Sequence, residues 1–93
     1  MSGNALYVVL EGEAVVRRAD SELNRVGPGE VIGEISVLLG EVPSADVVAS
    51  GLLRCLVIPA PQVEPFLLER PSVMLRMLKM EAARLRGMVE GLR

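Results

Sequence analysis

The feature that most constrains the fold is a glycine-punctuated stretch at residues 27–49. It opens with Gly27, Pro28 and Gly29. This triplet predicts a turn, because proline fixes its own φ while glycine accepts backbone conformations that side chains forbid. Residues 30–32, which include a Val-Ile pair, then predict a short strand. The sequence therefore places a tight turn and a strand immediately before the next glycine.

Gly33 follows that strand, and the mainly apolar residues 34–39 predict a helical turn that Gly40 can end. A strand that passes through glycine into a helical N-terminus turns backbone N–H groups outward, which is a general way to hold an anion. The alternative is that Gly33 only makes a tight turn, because short glycine motifs also occur without a ligand.

Short strands separated by turn residues surround this stretch. Strands are predicted at 5–10, 13–18, 21–26, 30–32, 44–50 and 52–58. Glu11-Gly12 and Ser50-Gly51 are typical of hairpin turns, so the first two strands and the last two are expected to pair as hairpins. Short strands at close, regular spacing indicate an antiparallel β-sandwich or barrel.

The pattern becomes helical after the last strand. A short helix is predicted at 62–69, where Pro71 ends it, and Ser72 can cap a longer helix. The expected organisation is a β-domain at 1–58 that contains the stretch 27–49, followed by C-terminal helices at 59–93, the long one at 72–92.

The long helix carries apolar side chains that recur every seven residues. The resulting a/d seam consists of Leu75, Leu78, Ala82, Leu85, Val89 and Leu92. Such a seam is typical of two helices that coil around each other, so it predicts a homodimer formed by parallel pairing with a second copy. The alternative is that the seam packs against the chain's own sheet.

The composition leaves little chemistry for catalysis. The chain has no histidine, so the usual general base and the commonest metal ligand are missing. The single cysteine, Cys55, lies in an apolar run typical of a buried position. The paired acids Glu30 and Glu34 lie in a turn with no evident substrate cleft. We therefore expect neither an enzyme nor a metal site.

Charge is distributed unevenly along the chain. Residues 1–73 carry five Arg and ten Asp or Glu, whereas residues 74–93 carry five Lys or Arg and two Glu. The basic residues of the last helix interleave with its apolar seam, and no second helix follows to form a helix-turn-helix, so DNA binding is not expected. Neither a bilayer-spanning apolar run of ~20 residues nor a signal-peptide pattern is present, which predicts a cytoplasmic protein without membrane contact.

Several of these segments together resemble a known family. The order Gly-Glu-x-x-Gly-Glu-Ile-Ser at 29–36, followed by Gly40 and by Ser-Ala-Asp-Val-Val-Ala at 44–49, is similar to the phosphate-binding cassette of the cyclic nucleotide-binding domain family. The match continues upstream in Leu-Tyr-Val-Val-Leu-Glu-Gly-Glu at 6–13, and downstream in two helices. That family includes bacterial catabolite activators, kinase regulatory subunits and gated ion channels.

The resemblance implies a jelly roll flanked by helices, with a role in regulation and signal transduction. In the catabolite activators the corresponding long helix pairs with a second copy, which agrees with the heptad seam. The family domain usually begins with a helix and about two strands before the strand that corresponds to 6–10, so the resemblance also implies a fragment truncated at the N-terminus or a minimal version of the domain.

The resemblance assigns roles in ligand binding to five residues. Gly33 and the backbone after it, through Ile35, correspond to the turn that faces the cyclic phosphate and the ribose. Glu34 corresponds to the acid that accepts a hydrogen bond from the ribose 2′-hydroxyl. Ser44 and Ala45 correspond to the pair that donates hydrogen bonds to the phosphate. The implied ligand is an anionic nucleotide, cAMP or cGMP.

One position of the family pattern is not matched. The arginine that pairs with the phosphate comes just before the Ser-Ala pair, where this chain has Pro43, and the residue after the pair is Asp46 instead of an uncharged type. No arginine or lysine lies between Arg25 and Arg54, so the cassette supplies no substitute cation. A hydrogen bond to a charged group contributes about 1.5–3 kcal/mol, so its loss predicts impaired nucleotide binding.

These observations lead to two expected functions. The first is a cyclic nucleotide-binding-like sensor domain, in which a small anion on the cassette shifts the last helix and binding of cAMP or cGMP is impaired. The alternative is a degenerate domain that has lost its ligand and serves as a dimerisation or protein-interaction module.

Overall fold

Six strands and three helices occupy the residues that this computed structural model describes, 4–43 and 45–91. The strands are β1 (Ala5–Glu11), β2 (Ala14–Arg18), β3 (Ser21–Val26), β4 (Val31–Ile32), β5 (Asp46–Ala49) and β6 (Arg54–Pro59). The helices are α1 (Glu34–Leu39), α2 (Ala60–Leu68) and α3 (Pro71–Gly91). The chain divides into two compact units, Met1–Val63 and Glu64–Arg93, and the boundary falls inside α2.

The strands form two three-stranded antiparallel sheets, both in the first unit. One sheet has the order β4-β1-β6 and the other the order β3-β2-β5. Buried side chains from both sheets form one core cluster, which consists of Val9, Ala14, Val26 and Ile32. The predicted fold class, an antiparallel jelly-roll sandwich followed by two C-terminal helices, is confirmed. The described strands do not close into a barrel.

The two predicted hairpins are wrong. β1 pairs with β4 and β6, while β2 pairs with β3 and β5, so β1 and β2 lie in different sheets. The same is true of β5 and β6. The glycines at 12 and 51 do make turns with positive φ. Each of these turns carries the chain from one sheet to the other instead of folding it back beside itself.

Gly12 shows the physical reason for these crossings. A Cβ built on Gly12 would lie 2.0 Å from the carbonyl oxygen of Leu52, so the two connections between the sheets lie against each other at this point. Nearby, the backbone N–H of Ser50 donates to the carbonyl of Glu13 over 2.9 Å. The turn residues thus bring two crossing connections into contact, which requires a glycine at one of them.

The second unit contains the long helix α3. Ser72 was expected to cap this helix, but α3 begins one residue earlier, at Pro71. Proline suits the first helical position, because the N–H that it lacks has no intrahelical partner there. Before it, the Arg70 guanidinium stacks 4.3 Å from the centroid of the Phe66 ring and its Nη1 donates to the Phe66 carbonyl.

We predict that Gly12→Ala destabilises the first unit far more than Gly51→Ala. Both glycines have nearly the same φ, 84° and 83°, but a Cβ at Gly51 meets no atom within 4 Å. The strain of a left-handed alanine alone costs about 1–2 kcal/mol. The added clash with Leu52 should raise the loss for Gly12→Ala by about 2 kcal/mol or more. Urea unfolding followed by circular dichroism measures both, and equal losses would contradict the close contact.

Candidate functional site

The turn at 27–30 is fixed to the first strand by backbone hydrogen bonds. The N–H of Gly29 donates to the carbonyl of Val9 over 2.8 Å, and the N–H of Val9 donates to the carbonyl of Glu30 over 2.9 Å. The N–H of Glu30 closes the turn by donating to the carbonyl of Gly27 over 3.1 Å. Gly29 has a φ of 84°, which side chains disfavour. Backbone hydrogen bonds to β1 therefore fix the start of the cassette, as we call the stretch 27–49.

The Glu30 side chain serves this turn. Its Oε1 accepts a hydrogen bond from the N–H of Gly27 over 2.9 Å, so side chain and backbone of one residue both close the turn. This arrangement gives Glu30 a structural role at the entrance of the cassette, and its carboxylate is directed at backbone instead of at a ligand position.

Gly33 cannot be replaced by a larger residue without a shift of the backbone. Its φ is 85°, and a Cβ at this position would lie 2.7 Å from the carbonyl oxygen of Ala5 in β1. It occupies the N-cap position of α1, and the N–H of Val37 donates to its carbonyl over 3.1 Å. The strand-to-helix turn therefore lies directly against β1.

Helix α1 spans the six residues that the sequence predicts, 34–39, and it ends at Gly40 with a φ of 67°. The N–H groups of Gly40 and Glu41 both donate to the carbonyl of Ser36, which satisfies the end of the helix. Among the described residues, Glu34 is the one charged side chain that is buried, with 5% of its surface exposed, whereas Ile35 is 55% exposed. The helix thus turns a carboxylate inward and an apolar side chain outward.

The end of the cassette lies beside β2. Residues Pro43, Ala45 and Asp46 line an open depression with a volume of about 160 Å³. Asp46 opens β5 opposite Arg17 of β2. Of the predicted ligand residues, Ala45 lines this depression, whereas Gly33, Glu34 and Ile35 are not among its lining residues. Ser44 lies outside the described residues.

Two arginines that sequence reasoning missed lie at the same depression. Arg17 and Arg18, at the end of β2, line it together with Ala19. Both arginines come well before the cassette in sequence, outside the segment from Arg25 to Arg54. The Arg-Arg pair was visible in the sequence, but only the pairing of β2 with β5 places it next to Pro43.

Cys55 is a free thiol that packs against the core cluster. Burial raises the pKa of the Cys55 thiol, which disfavours the reactive thiolate form. Among residues 4–43 and 45–91, no group of three or more His, Cys, Asp or Glu side chains could hold a metal ion. Within the same residues, no helix has the length and apolar character that a bilayer crossing requires.

The predicted dimer seam is exposed along α3. Leu78 is 64% exposed and Leu85 is 61% exposed, and Leu75, Ala82 and Val89 are also exposed. Leu92, the last residue of the predicted seam, lies outside the described residues.

The family model for the cyclic nucleotide-binding domain, which describes the sequences of that family, matches residues 1–70 of the chain. The chain belongs to the cyclic nucleotide-binding domain family. It is a regulatory, cyclic nucleotide-binding-like domain, as the sequence predicts. Domains of this family are regulatory and not catalytic.

Solved structures with the same fold include a catabolite activator protein and regulatory parts of protein kinases. The domain superposes on the catabolite activator protein of Thermus thermophilus with a TM-score of 0.81 and 29% identity, and the match covers 96% of this chain and 44% of that one. It matches the regulatory subunit of a cAMP-independent protein kinase A from Trypanosoma brucei with a TM-score of 0.67 and 29% identity, over 83% of this chain and 30% of that one.

A third structure shows likeness in fold alone. The regulatory domain of Toxoplasma gondii protein kinase A, crystallised with cAMP, has a TM-score of 0.67 and 23% identity, and the match covers 88% of this chain and 32% of that one. The cyclic nucleotide-binding-like domain described here thus spans less than half the length of each of these three proteins.

We predict that Glu30→Ala destabilises this cyclic nucleotide-binding-like domain by about 1 kcal/mol, because one backbone N–H of the turn loses its acceptor. Glu41→Ala is the matched control, since Glu41 is an exposed acid beyond α1 and should change the free energy of unfolding by less than about 0.5 kcal/mol. Urea denaturation of both variants measures the difference. Equal stability of the two would contradict the role of Glu30 in the turn.

Proposed function

We propose that this domain senses an anionic cyclic nucleotide, cAMP or cGMP, and binds it with reduced affinity. The residues assigned to the ligand are Gly33, Glu34, Ile35, Ser44 and Ala45. In this proposal the backbone after Gly33 faces the cyclic phosphate and the ribose, Glu34 accepts from the ribose 2′-hydroxyl, and the Ser-Ala pair donates to the phosphate.

The burial of Glu34 is the observation that carries this proposal. An ionised carboxylate loses its hydration when it is buried, which costs several kcal/mol unless other groups compensate. Glu34 is 5% exposed at the start of α1, whereas the neighbouring Ile35 is exposed. The chain thus buries an acceptor at the position that the family uses for the ribose, where a core residue would be apolar.

Two residues lower the expected affinity. Pro43 offers no cation at the position of the family's arginine, and a charge-assisted hydrogen bond contributes about 1.5–3 kcal/mol. Asp46 adds a carboxylate to the same depression, where it repels an anion by about 1 kcal/mol or more. Together these changes weaken binding on the order of a hundredfold or more.

The second candidate function is a ligand-free dimerisation or protein-interaction module. Pro43 and Asp46 favour it, and one relative in the same fold is described as part of a cAMP-independent kinase, whereas another was crystallised with cAMP. The fold thus occurs both in a kinase described as cAMP-independent and in a domain crystallised with cAMP, and the choice between the two functions depends on the ligand residues of this chain.

Calorimetric titration with cAMP and cGMP tests the proposal. We predict saturable binding of at least one nucleotide with a dissociation constant of about 0.1–1 mM, since a micromolar site weakened a hundredfold falls in this range. Glu34→Gln should weaken binding about tenfold, because the amide accepts a weaker hydrogen bond than the carboxylate does.

Glu41→Gln is the control for the loss of one negative charge near α1, and it should leave the affinity unchanged within about twofold. If neither nucleotide gives binding heat or a thermal shift at roughly 5–10 mM, about ten times the expected dissociation constant, nucleotide sensing is rejected. The ligand-free module is then favoured.

We also propose that α3 pairs with a second copy of the chain through its a/d seam. Five seam residues are described and all are exposed: Leu75, Leu78, Ala82, Leu85 and Val89. Each large seam side chain that becomes buried contributes about 1.5–3 kcal/mol. A continuous exposed row of this kind is uncommon on a helix unless another surface covers it.

We predict that Leu85→Lys weakens the dimer by at least about a hundredfold, because both copies lose the burial of a leucine. Ala83→Lys is the matched control: it adds the same charge one position beyond the seam, at an exposed residue. Sedimentation equilibrium should show a dimer for the native chain and for Ala83→Lys, and a monomer for Leu85→Lys. A native chain that is monomeric at about 100 μM would contradict the proposal.

A further inference from the structure

The outer edge of β6 presents a row of backbone hydrogen-bonding groups. Within the part of the chain that the structure describes, β6 pairs with β1 alone and is an edge strand of its sheet. The N–H of Ala60, directly after β6, donates to the carbonyl of Asn4 over 2.9 Å. Bonded and non-bonded residues alternate along an antiparallel pair, so Leu56 and Ile58 bond to β1. The odd-numbered residues of β6 therefore direct their backbone groups away from the sheet.

The pairing on the other side of β1 agrees with this assignment. The N–H of Val9 donates to the carbonyl of Glu30, and the carbonyl of Val9 accepts from the N–H of Gly29, so both groups face the turn that leads into β4. Val9 lies opposite Cys55 in the β1–β6 register. Cys55 and Val57 thus each present an N–H and a C=O at the outer edge of β6.

The middle of β6 lacks the features that usually keep an edge strand from pairing, which are charged side chains, a proline or a bulge. Its one charged residue, Arg54, begins the strand and forms an ion pair with Glu11 over 2.8 Å. Its one proline, Pro59, ends the strand. Between them Leu56 is 44% exposed and Val57 is 53% exposed. The edge is therefore apolar and open at its centre.

This edge is complementary to a second copy of itself. A two-fold axis at Leu56 would place Cys55 of each copy opposite Val57 of the other. These two pairs use the outward groups of both residues, and each pair exchanges two N–H···O=C bonds. Leu56 would lie opposite Leu56 of the second copy in a non-hydrogen-bonded pair, where side chains approach most closely.

Charge and proline position favour the same register. With the axis at Leu56, Arg54 lies opposite Ile58 of the second copy, so like charges do not meet directly. An axis at Val57 would instead bring Pro59 opposite Cys55, and that pair would lose a bond because proline has no N–H.

We propose that β6 pairs antiparallel with β6 of a second copy, centred on Leu56, and joins two three-stranded sheets into one. This interface is separate from the a/d seam of α3 and does not depend on nucleotide binding. Two short strands offset the cost of association only in part, so we expect a dissociation constant of about 1 mM. At about 100 μM the contact is then mostly unformed.

Disulfide trapping tests the register in the full chain with Cys55→Ser and Leu85→Lys as background. The first change removes the native thiol, and the second removes pairing through the α3 seam. Leu56→Cys should give a disulfide-linked dimer at about 1 mM protein. The Cα atoms of a non-hydrogen-bonded pair lie about 4.5 Å apart, which a disulfide can span.

Leu10→Cys in the same background is the matched control, because Leu10 is also 44% exposed but lies on β1. Two copies of β1 would be three strand spacings apart, about 14 Å, which a disulfide cannot span. We expect Leu10→Cys to form at least about tenfold less linked dimer. Equal linking of both variants, or none for Leu56→Cys, would overturn the proposal.

Sedimentation equilibrium of the Leu85→Lys chain at about 1 mM provides a second test without a new thiol. Val57→Pro should weaken self-association at least about tenfold, because it removes an outward N–H and no bond to β1. Val57→Thr keeps this N–H and should change the association constant by less than about threefold. Circular dichroism shows that both variants are folded.

A Leu85→Lys chain that is folded and strictly monomeric at about 1 mM would also overturn the proposal, as would equal effects of Val57→Pro and Val57→Thr. An edge that pairs only with a strand of a different protein gives this monomeric result. None of these results bears on calorimetric binding of cAMP or cGMP, so the proposed function is tested independently.

Discussion

The close approach of Gly33 to the Ala5 carbonyl is the constraint on which the candidate site depends. With 2.7 Å between that oxygen and the position of a Cβ, only glycine lets the chain turn from β4 into α1 directly against β1. The helix start is thereby placed by the sheet, and Glu34, the next residue, is carried inward and buried. A larger residue at 33 would force the turn or β1 to shift, so the position of Glu34 depends on this backbone contact.

The local elements could be predicted from the sequence, whereas their pairing could not. Turn residues and short apolar runs indicate strands and a helix at 34–39, because these signals act over a few residues. The Glu11-Gly12 pair suits a crossing between sheets as well as it suits a hairpin turn, because a glycine with positive φ occurs in both. What decides between them is the contact of Gly12 with Leu52, about forty residues later in the chain. The sequence around Gly12 does not indicate such a distant contact.

The same limit applies to the site. Gly33 and Glu34 could be selected from the sequence because the family motif is contiguous there, and the structure gives each a specific environment. Arg17 and Arg18 could not be selected, because their proximity to Pro43 depends on the β2–β5 register.

A crystal structure of the protein grown with millimolar cAMP or cGMP tests the central claim most directly, because it locates the ligand relative to both halves of the cassette. The account predicts ordered nucleotide density with the ribose 2′-hydroxyl within hydrogen-bond distance of Glu34 and the phosphate on the side of Ala45. Nucleotide bound elsewhere, or a cassette that stays without ligand density while Glu34 remains buried, would contradict it.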